Sequence, residues 1–326
     1  KLEVWNWLRD SVLTLVERFG IDGVRFDIAH AVPIMMKREN SPVVAGRRRD
    51  HGEMLRGNIV SNEMDDDHLR TTGYYDSACR DAIAPPLHQF LMQAVERKLR
   101  QVGKKGFLNI AECYWGHERF LARCGILPYN SALFKICEAI SRGRGDVGGI
   151  YNLYENHYAN VLPRGTTMVG ILGNHDERRA LNTFGHRGLR PAVALTVFMS
   201  DVVLDYEGSA EGEGWKVYLD NIHVDWNEFE GASHRSLQDF YAQWYGLHRT
   251  STGSSRLLRT DNPMVAAAMK QFEDGLWVGV FSFVDVNQGA TLRFDDPQLP
   301  IDDGEWYRLV DAIYSPVTGQ HGFFTG

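Results

Sequence analysis

Residues 167–180 read "TMVGILGNHDERRA". The stretch opens on Met168, Val169, Ile171 and Leu172 and closes on Asn174, His175, Asp176 and Glu177. A short apolar run with β-branched residues predicts a buried strand rather than a helix. Its polar tail predicts that the strand, taken as "TMVGILGN" and ending on His175 and Asp176, finishes in a cleft.

The same pattern recurs upstream. "IDGVRFDIAH" (21–30) is too short and too β-branched for a helix and predicts a strand ending near Asp27. "GFLNIAE" (106–112) predicts another, ending on Glu112. Helical stretches separate them. In residues 2–19 apolar side chains at 5, 8, 12, 15, 16 and 19 form one face, and Gly20 follows where a helix end favours a residue without Cβ. After Pro85-Pro86 a helix is expected with Leu87, Phe90, Leu91, Ala94 and Leu99 on its buried side, closed by Gly103. Residues 31–80 lack periodicity, and so long an irregular connection is usually functional.

Downstream the order repeats. A strand candidate around "NSALFKICEA" (130–139) leads to a helix carrying Ile150, Leu153, Tyr154, Tyr158 and Val161. The strand at 167–174 is followed by a helix through "RPAVALTVFM" and a strand "VVLDYEG" (202–208). An acidic, glycine-rich loop and a helix with Leu237, Phe240, Tyr241, Trp244 and Leu247 complete this part. Strands alternating with helices predict an α/β architecture with a parallel sheet. From about residue 260 short strands alternate without helices, and Asp274-Gly275 between two apolar runs signals a hairpin. The expected domains are therefore 1–254 and 255–326, the second antiparallel.

Composition narrows the chemistry. The chain has 326 residues, 44% of them hydrophobic, and a net charge of −7 without long blocks, which argues against a nucleic-acid partner. The basic run Arg47-Arg48-Arg49 reads as a solvated loop. Four cysteines, at 79, 113, 124 and 137, show neither CxxC nor metal-ligand spacing and read as reduced thiols of a cytoplasmic protein. No secretory signal is visible, and no apolar run approaches the ~20 residues of a membrane span. The chain opens on Lys1 inside a helical pattern, which reads as part of something longer.

In a parallel α/β barrel the active site lies at the C-terminal ends of the strands. Asp27, Glu112 and Asp176 all stand there. One strand-end acid often merely caps the next helix. Three on successive strands suit glycosidic bond cleavage, in which one carboxyl group gives the leaving oxygen a proton and another attacks the anomeric carbon.

"GVRFD" at 23–27, "AE" at 111–112 and "GNHD" at 173–176 resemble, in this order, short motifs of the α-amylase family of glycoside hydrolases (family 13). The likeness covers about residues 1–250, and the rest resembles that family's following β-domain. The resemblance implies a (β/α)8 TIM barrel, of which this chain would supply strands four to eight, followed by an antiparallel β-sandwich. It implies a retaining enzyme acting on α-linked glucans by hydrolysis or transfer, branching and maltosyl-transferring enzymes included. Asp27 would be the nucleophile, Glu112 the acid and base, and Asp176 a transition-state partner.

Arg25, two residues before Asp27 on the same strand face, would hold Asp27 ionised. His175 would bind sugar hydroxyls, Trp115 would stack on a pyranose ring or pack under its loop, and Asn174 is a hydroxyl ligand or a turn-former. Tyr74, Tyr75 and Trp215 are weaker stacking candidates. His30 and Ala31 stand where many members have Lys and His, so the acceptor side is expected to differ. No cofactor is required by this chemistry. A structural calcium, which many members bind partly through the segment absent here, is possible but not inferable, and the run Asp65-Asp66-Asp67 lacks an EF-hand spacing. Five strands cannot close an eight-stranded barrel. About 150 or more residues before Lys1, or a partner chain, are therefore expected to supply the remainder. Two rivals are a non-catalytic carbohydrate-binding scaffold and a metal-dependent barrel hydrolase. The second would want HxH or HExxH spacing, which His30 and His175 do not provide.

Overall fold

The computed structural model describes residues 2–27, 29, 87–114, 118–214, 224, 226–229, 231–273, 275–284, 289–293, 306–308 and 323–325. His30, Tyr74, Tyr75, Trp115 and Trp215 lie outside the described residues, as does the 65–67 acidic run. The chain divides into two units, Lys1–Leu133 with Leu153–Ile171, and Phe134–Asn152 with Leu172–Gly326.

In the first unit α1 (Leu2–Phe19) leads into β1 (Gly23–Phe26), α2 (Leu87–Gln101), β2 (Leu108–Ala111), α3 (Glu118–Arg123) and β3 (Leu127–Pro128). The three strands pair in parallel in the order β1-β2-β3, with Phe26 opposite Ala111 and Ala111 opposite Pro128. β4 (Val169–Ile171) continues the series through a parallel bridge from Tyr129 to Val169. Gly23 is dictated by the strand approach, because a Cβ there would stand 1.9 Å from the Leu108 carbonyl oxygen. α1 closes on Gly20, whose φ of 61° suits a residue without Cβ and whose N–H reaches the Val16 carbonyl at 3.1 Å. Trp5 packs with Leu87 and Leu91 of α2, its ring 5.7 Å from that of Phe90. Burying a side chain of this size contributes about 2–3 kcal/mol.

The third strand departs from the sequence reading. "NSALFKICEA" is not a strand but the start of a helix, α4 (Ser131–Ser141), and the strand is the two-residue β3 before it. Asn130 Oδ1 accepts the Leu133 N–H at 3.1 Å, satisfying a donor that a helix start leaves open. Leu133, Phe134, Cys137 and Ile140 then fall on one buried helical face. The helix expected around 150–161 is composite: α5 (Gly148–Tyr151), a π-helical stretch Asn152–Tyr158, and a last turn Ala159–Val161. Two tyrosines of the π stretch grip Asn130: Tyr158 Oη donates to its Oδ1 at 2.7 Å, and its Nδ2 donates to Tyr154 Oη at 2.9 Å.

The second unit contains α6 (Ala180–Met199), kinked at Gly185 (φ 67°), then β5 (Val202–Leu204) and α7 (Ala232–Arg249). Antiparallel strands follow: β6 (Arg256–Thr260), β7 (Val265–Phe272), β8 (Gly275–Ser282) and β9 (Leu292–Arg293), in the order β8-β7-β6-β9. β7 and β8 form the hairpin that the sequence signals, with Phe272 paired to Gly275. β10 (Trp306–Arg308) and β11 (Phe323–Thr325) form a separate antiparallel pair. Phe198 near the end of α6 lies 5.8 Å from Phe272 and 5.6 Å from Phe281, which binds helix to sheet. The buried Lys270 of β7 donates to the Ser200 carbonyl at 2.9 Å and to Asp201 at 3.0 Å, setting a cation at the C-terminal end of α6 where its dipole is negative. Among the described residues no helix is long and apolar enough to cross a membrane.

Candidate active site

The register of β1 and β2 does the positioning. Phe26 and Ala111 are the last paired residues, and the Glu112 N–H donates to the Phe26 carbonyl at 3.0 Å. Asp27 and Glu112 therefore leave adjacent parallel strands at the same level and the same, C-terminal, end. Tyr129 leaves β3 one step further along the sheet, its N–H on the Ala111 carbonyl at 3.1 Å.

Arg25 connects these ends. Its Nη1 donates to Asp27 Oδ1, its Nη2 lies 3.1 Å from Glu112 Oε2, and its Nε donates to Tyr129 Oη at 3.2 Å. Burial works against the guanidinium's charge. The hydrogen bond to Tyr129 and the two carboxylates outweigh it and raise the Arg25 pKa above its ordinary value. The carboxylates sit in unlike surroundings, with the Asp27 side chain 66% exposed and that of Glu112 only 7%. One cation thus holds two acids at neighbouring strand ends, one open to solvent and one enclosed. Beneath β1, His88 of α2 stands edge-on to Phe26, ring centroids 5.5 Å apart, and burial pushes it down to about 4.

Asn174, His175 and Asp176 belong to the second unit, and they do not continue the strand. β4 stops at Ile171. The reason is local: Asn174 Oδ1 accepts the N–H groups of both Asp176 and Glu177 at 2.9 Å, which folds 174–177 into a turn. Asn174 is thus a turn-former, whatever else it touches. His175 Nε2 stands 3.3 Å from Asp176 Oδ2, both side chains partly open to solvent. Arg179, buried, lays its guanidinium 4.0 Å from the Tyr206 ring centroid and donates to the Glu207 carbonyl.

Tyr129, within "ILPYN" (126–130), joins Arg25 without any local sequence signal. A further strand-end acid, Asp205, follows β5 and is engaged by the Tyr245 hydroxyl at 2.6 Å. Among the described residues no three His, Cys, Asp or Glu side chains converge as metal ligands would.

No protein-family model matches the chain, and no curated protein matches it in sequence. Solved structures do match. A noncanonic maltogenic α-amylase from Thermotoga neapolitana superposes with a TM-score of 0.60 at 15% identity, over 94% of this chain and 58% of that one. An α-amylase from H. orenii gives 0.59 at 13% identity, over 95% and 59%. A cyclic α-maltosyl-(1→6)-maltose hydrolase from Arthrobacter globiformis gives 0.51 at 14% identity, over 83% and 51%. The chain spans little more than half the length of each. Over the span it covers, and at identities where only the fold carries meaning, the chain folds as α-amylases do.

Proposed function

We propose that the protein is an enzyme of the α-amylase family that cleaves α-linked glucans with retention of anomeric configuration, passing the glycosyl group to water or to another sugar. The observation that carries this reading is the Arg25 guanidinium held between Asp27 and Glu112 at the ends of neighbouring parallel strands. The five strand ends would be the fourth to eighth of an eight-stranded barrel, with the antiparallel strands after residue 255 forming its sandwich domain.

In this mechanism Asp27, the more open acid, attacks the anomeric carbon as Glu112 gives its proton to the departing glycosidic oxygen. A covalent glycosyl ester on Asp27 results. Glu112, now a carboxylate, takes a proton from an incoming water or sugar hydroxyl, which attacks the same carbon and frees Asp27. Arg25 keeps Asp27 aimed. Asp176 and His175 would hold ring hydroxyls and favour the flattened transition state. His30 and Trp115 would act on neighbouring sugars. Double displacement suits carboxyl groups about 5–5.5 Å apart, whereas about 6.5–9.5 Å suits inversion.

The test is incubation with soluble starch and maltooligosaccharides, following new reducing ends and the anomer first released. Asp27→Asn is expected to lower turnover by at least about a thousandfold with folding intact. Glu112→Gln should impair natural glucans far more than an activated aryl glycoside, whose leaving group needs little protonation. Initial release of the β-anomer, or equal losses on both substrates, would remove the retaining assignment or Glu112's acid role respectively.

A further inference from the structure

We infer that the second unit carries a binding site for a phosphate dianion, free or borne by a sugar, beside the turn that holds Asp176. A cavity of about 390 Å³ is lined by Lys135 and Glu138 of α4, by Arg142 and Arg144 just beyond its end, by Glu177 of that turn and by Arg178 after it. The volume falls in the range of small-ligand sites and exceeds what a lone phosphate fills.

The charges do not balance. Four cations face two carboxylates, in a protein whose net charge is −7. Both carboxylates are engaged: Glu177 with Lys135 at 2.8 Å, Glu138 with Arg142 at 3.3 Å and with Lys135 at 3.6 Å. Arg144 and Arg178 have no ion-pair partner among the described residues. Two guanidiniums lining one cavity match the oxygens of a phosphate, which their forks of N–H donors can hold in pairs.

The cavity is also built rather than incidental. Lys135 and Glu138 share one face of α4, and Arg142, four residues on and just past the helix end, carries that face forward to pair with Glu138. Arg142 donates to the backbone carbonyls of Thr183 at 3.2 Å and Asn182 at 3.0 Å, which pins α4 to the start of α6. Gly143, with φ 66°, ends the helix and turns the chain so that Arg144 joins the wall. Arg178 also lines the cavity, two residues past Asp176 and directly after the turn fixed by Asn174. An anion here would brace that turn.

Titration calorimetry on the protein with inorganic phosphate, glucose 6-phosphate and glucose tests the proposal, beside Arg144→Gln/Arg178→Gln. The double variant removes charge from solvent-facing groups and is checked for an unchanged melting temperature. Saturable binding of the two phosphates but not of glucose is expected, weakening with added salt and falling about tenfold or more in the variant. Equal affinity for the two phosphates assigns the site to free phosphate, and tighter glucose 6-phosphate binding assigns it to a sugar ester. Absence of saturable phosphate binding, or an undiminished affinity in the variant, overturns the proposal. None of these readouts depends on glucan cleavage, so the site and the proposed activity fail separately.

Discussion

Tyr129 supplies the third contact of Arg25, and at this scale it is the least dispensable of the silent groups. A guanidinium between two acids can slide toward either, and the hydroxyl on Nε stops it. Tyr129→Phe keeps the buried ring and removes that acceptor. Loss of one hydrogen bond to a charged group is expected to lower kcat about tenfold with little change in KM, the signature of a hydroxyl that acts through Arg25 rather than on the glucan. An unchanged kcat would show that Arg25 is positioned without Tyr129. The contact also marks what a sequence can reveal. The placement of Asp27 and Glu112 at neighbouring strand ends was legible because an ionisable residue closing an apolar run is costly unless it faces a cleft, and the contact of Arg25 with Asp27 because side chains two apart share a strand face. Tyr129 is 104 residues from Arg25, and nothing local to "LPYN" signals the pairing.

Among the elements, β1, β2 and β4 were legible and β3 was not. Runs with Val, Ile and Phe read as strands, but β3 is two residues long and one of them is Pro128, so no period exists to read. The helix after it carries Leu133, Phe134, Ile136 and Cys137, whose apolar density mimics a strand until Asn130 is seen to cap it. The packing of α2 on β1 has its own consequence. His88 is buried against Phe26 and titrates near 4 in the fold against 6.5 when unfolded. Its folded pKa is depressed, so the unfolded chain binds more protons between those values. The stability His88 contributes is complete above about pH 6.5 and is lost as pH falls toward 4. Urea unfolding at pH 5 should therefore show about 2 kcal/mol less stability than at pH 7 from this group alone. His88→Phe should remove that part of the slope. A variant whose stability falls with pH as steeply as the wild type's would mean that His88 takes up its proton without unfolding.

For the molecule as a whole, the shift from helix-separated strands to an antiparallel sheet was readable, since it is a change of period, and β6 begins at Arg256. How α1 divides its apolar residues was not. The sequence shows one wide face, but Trp5 and Val16 turn inward while Val4, Trp7, Leu15 and Phe19 remain open, Trp7 at 67% and Phe19 at 72% exposure. Positions 4, 7, 15 and 19 lie along one side of a 3.6-residue helix, next to the buried side. Beside it, β1 has a neighbour strand on its β2 side alone among the described residues. Single exposed apolar residues mean little, but a helix-long stripe of them is an association surface. Residues 1–326 in isolation are therefore expected to sediment as concentration-dependent oligomers despite a net charge of −7. Trp7→Lys/Phe19→Lys should weaken that association at least about tenfold, since each ring stabilises a covered interface by about 2–3 kcal/mol. The melting temperature of the monomer should not move, because neither ring packs inward. A chain that sediments as a monomer at every attainable concentration, or a double variant that associates as before, would show that the stripe is tolerated as free surface.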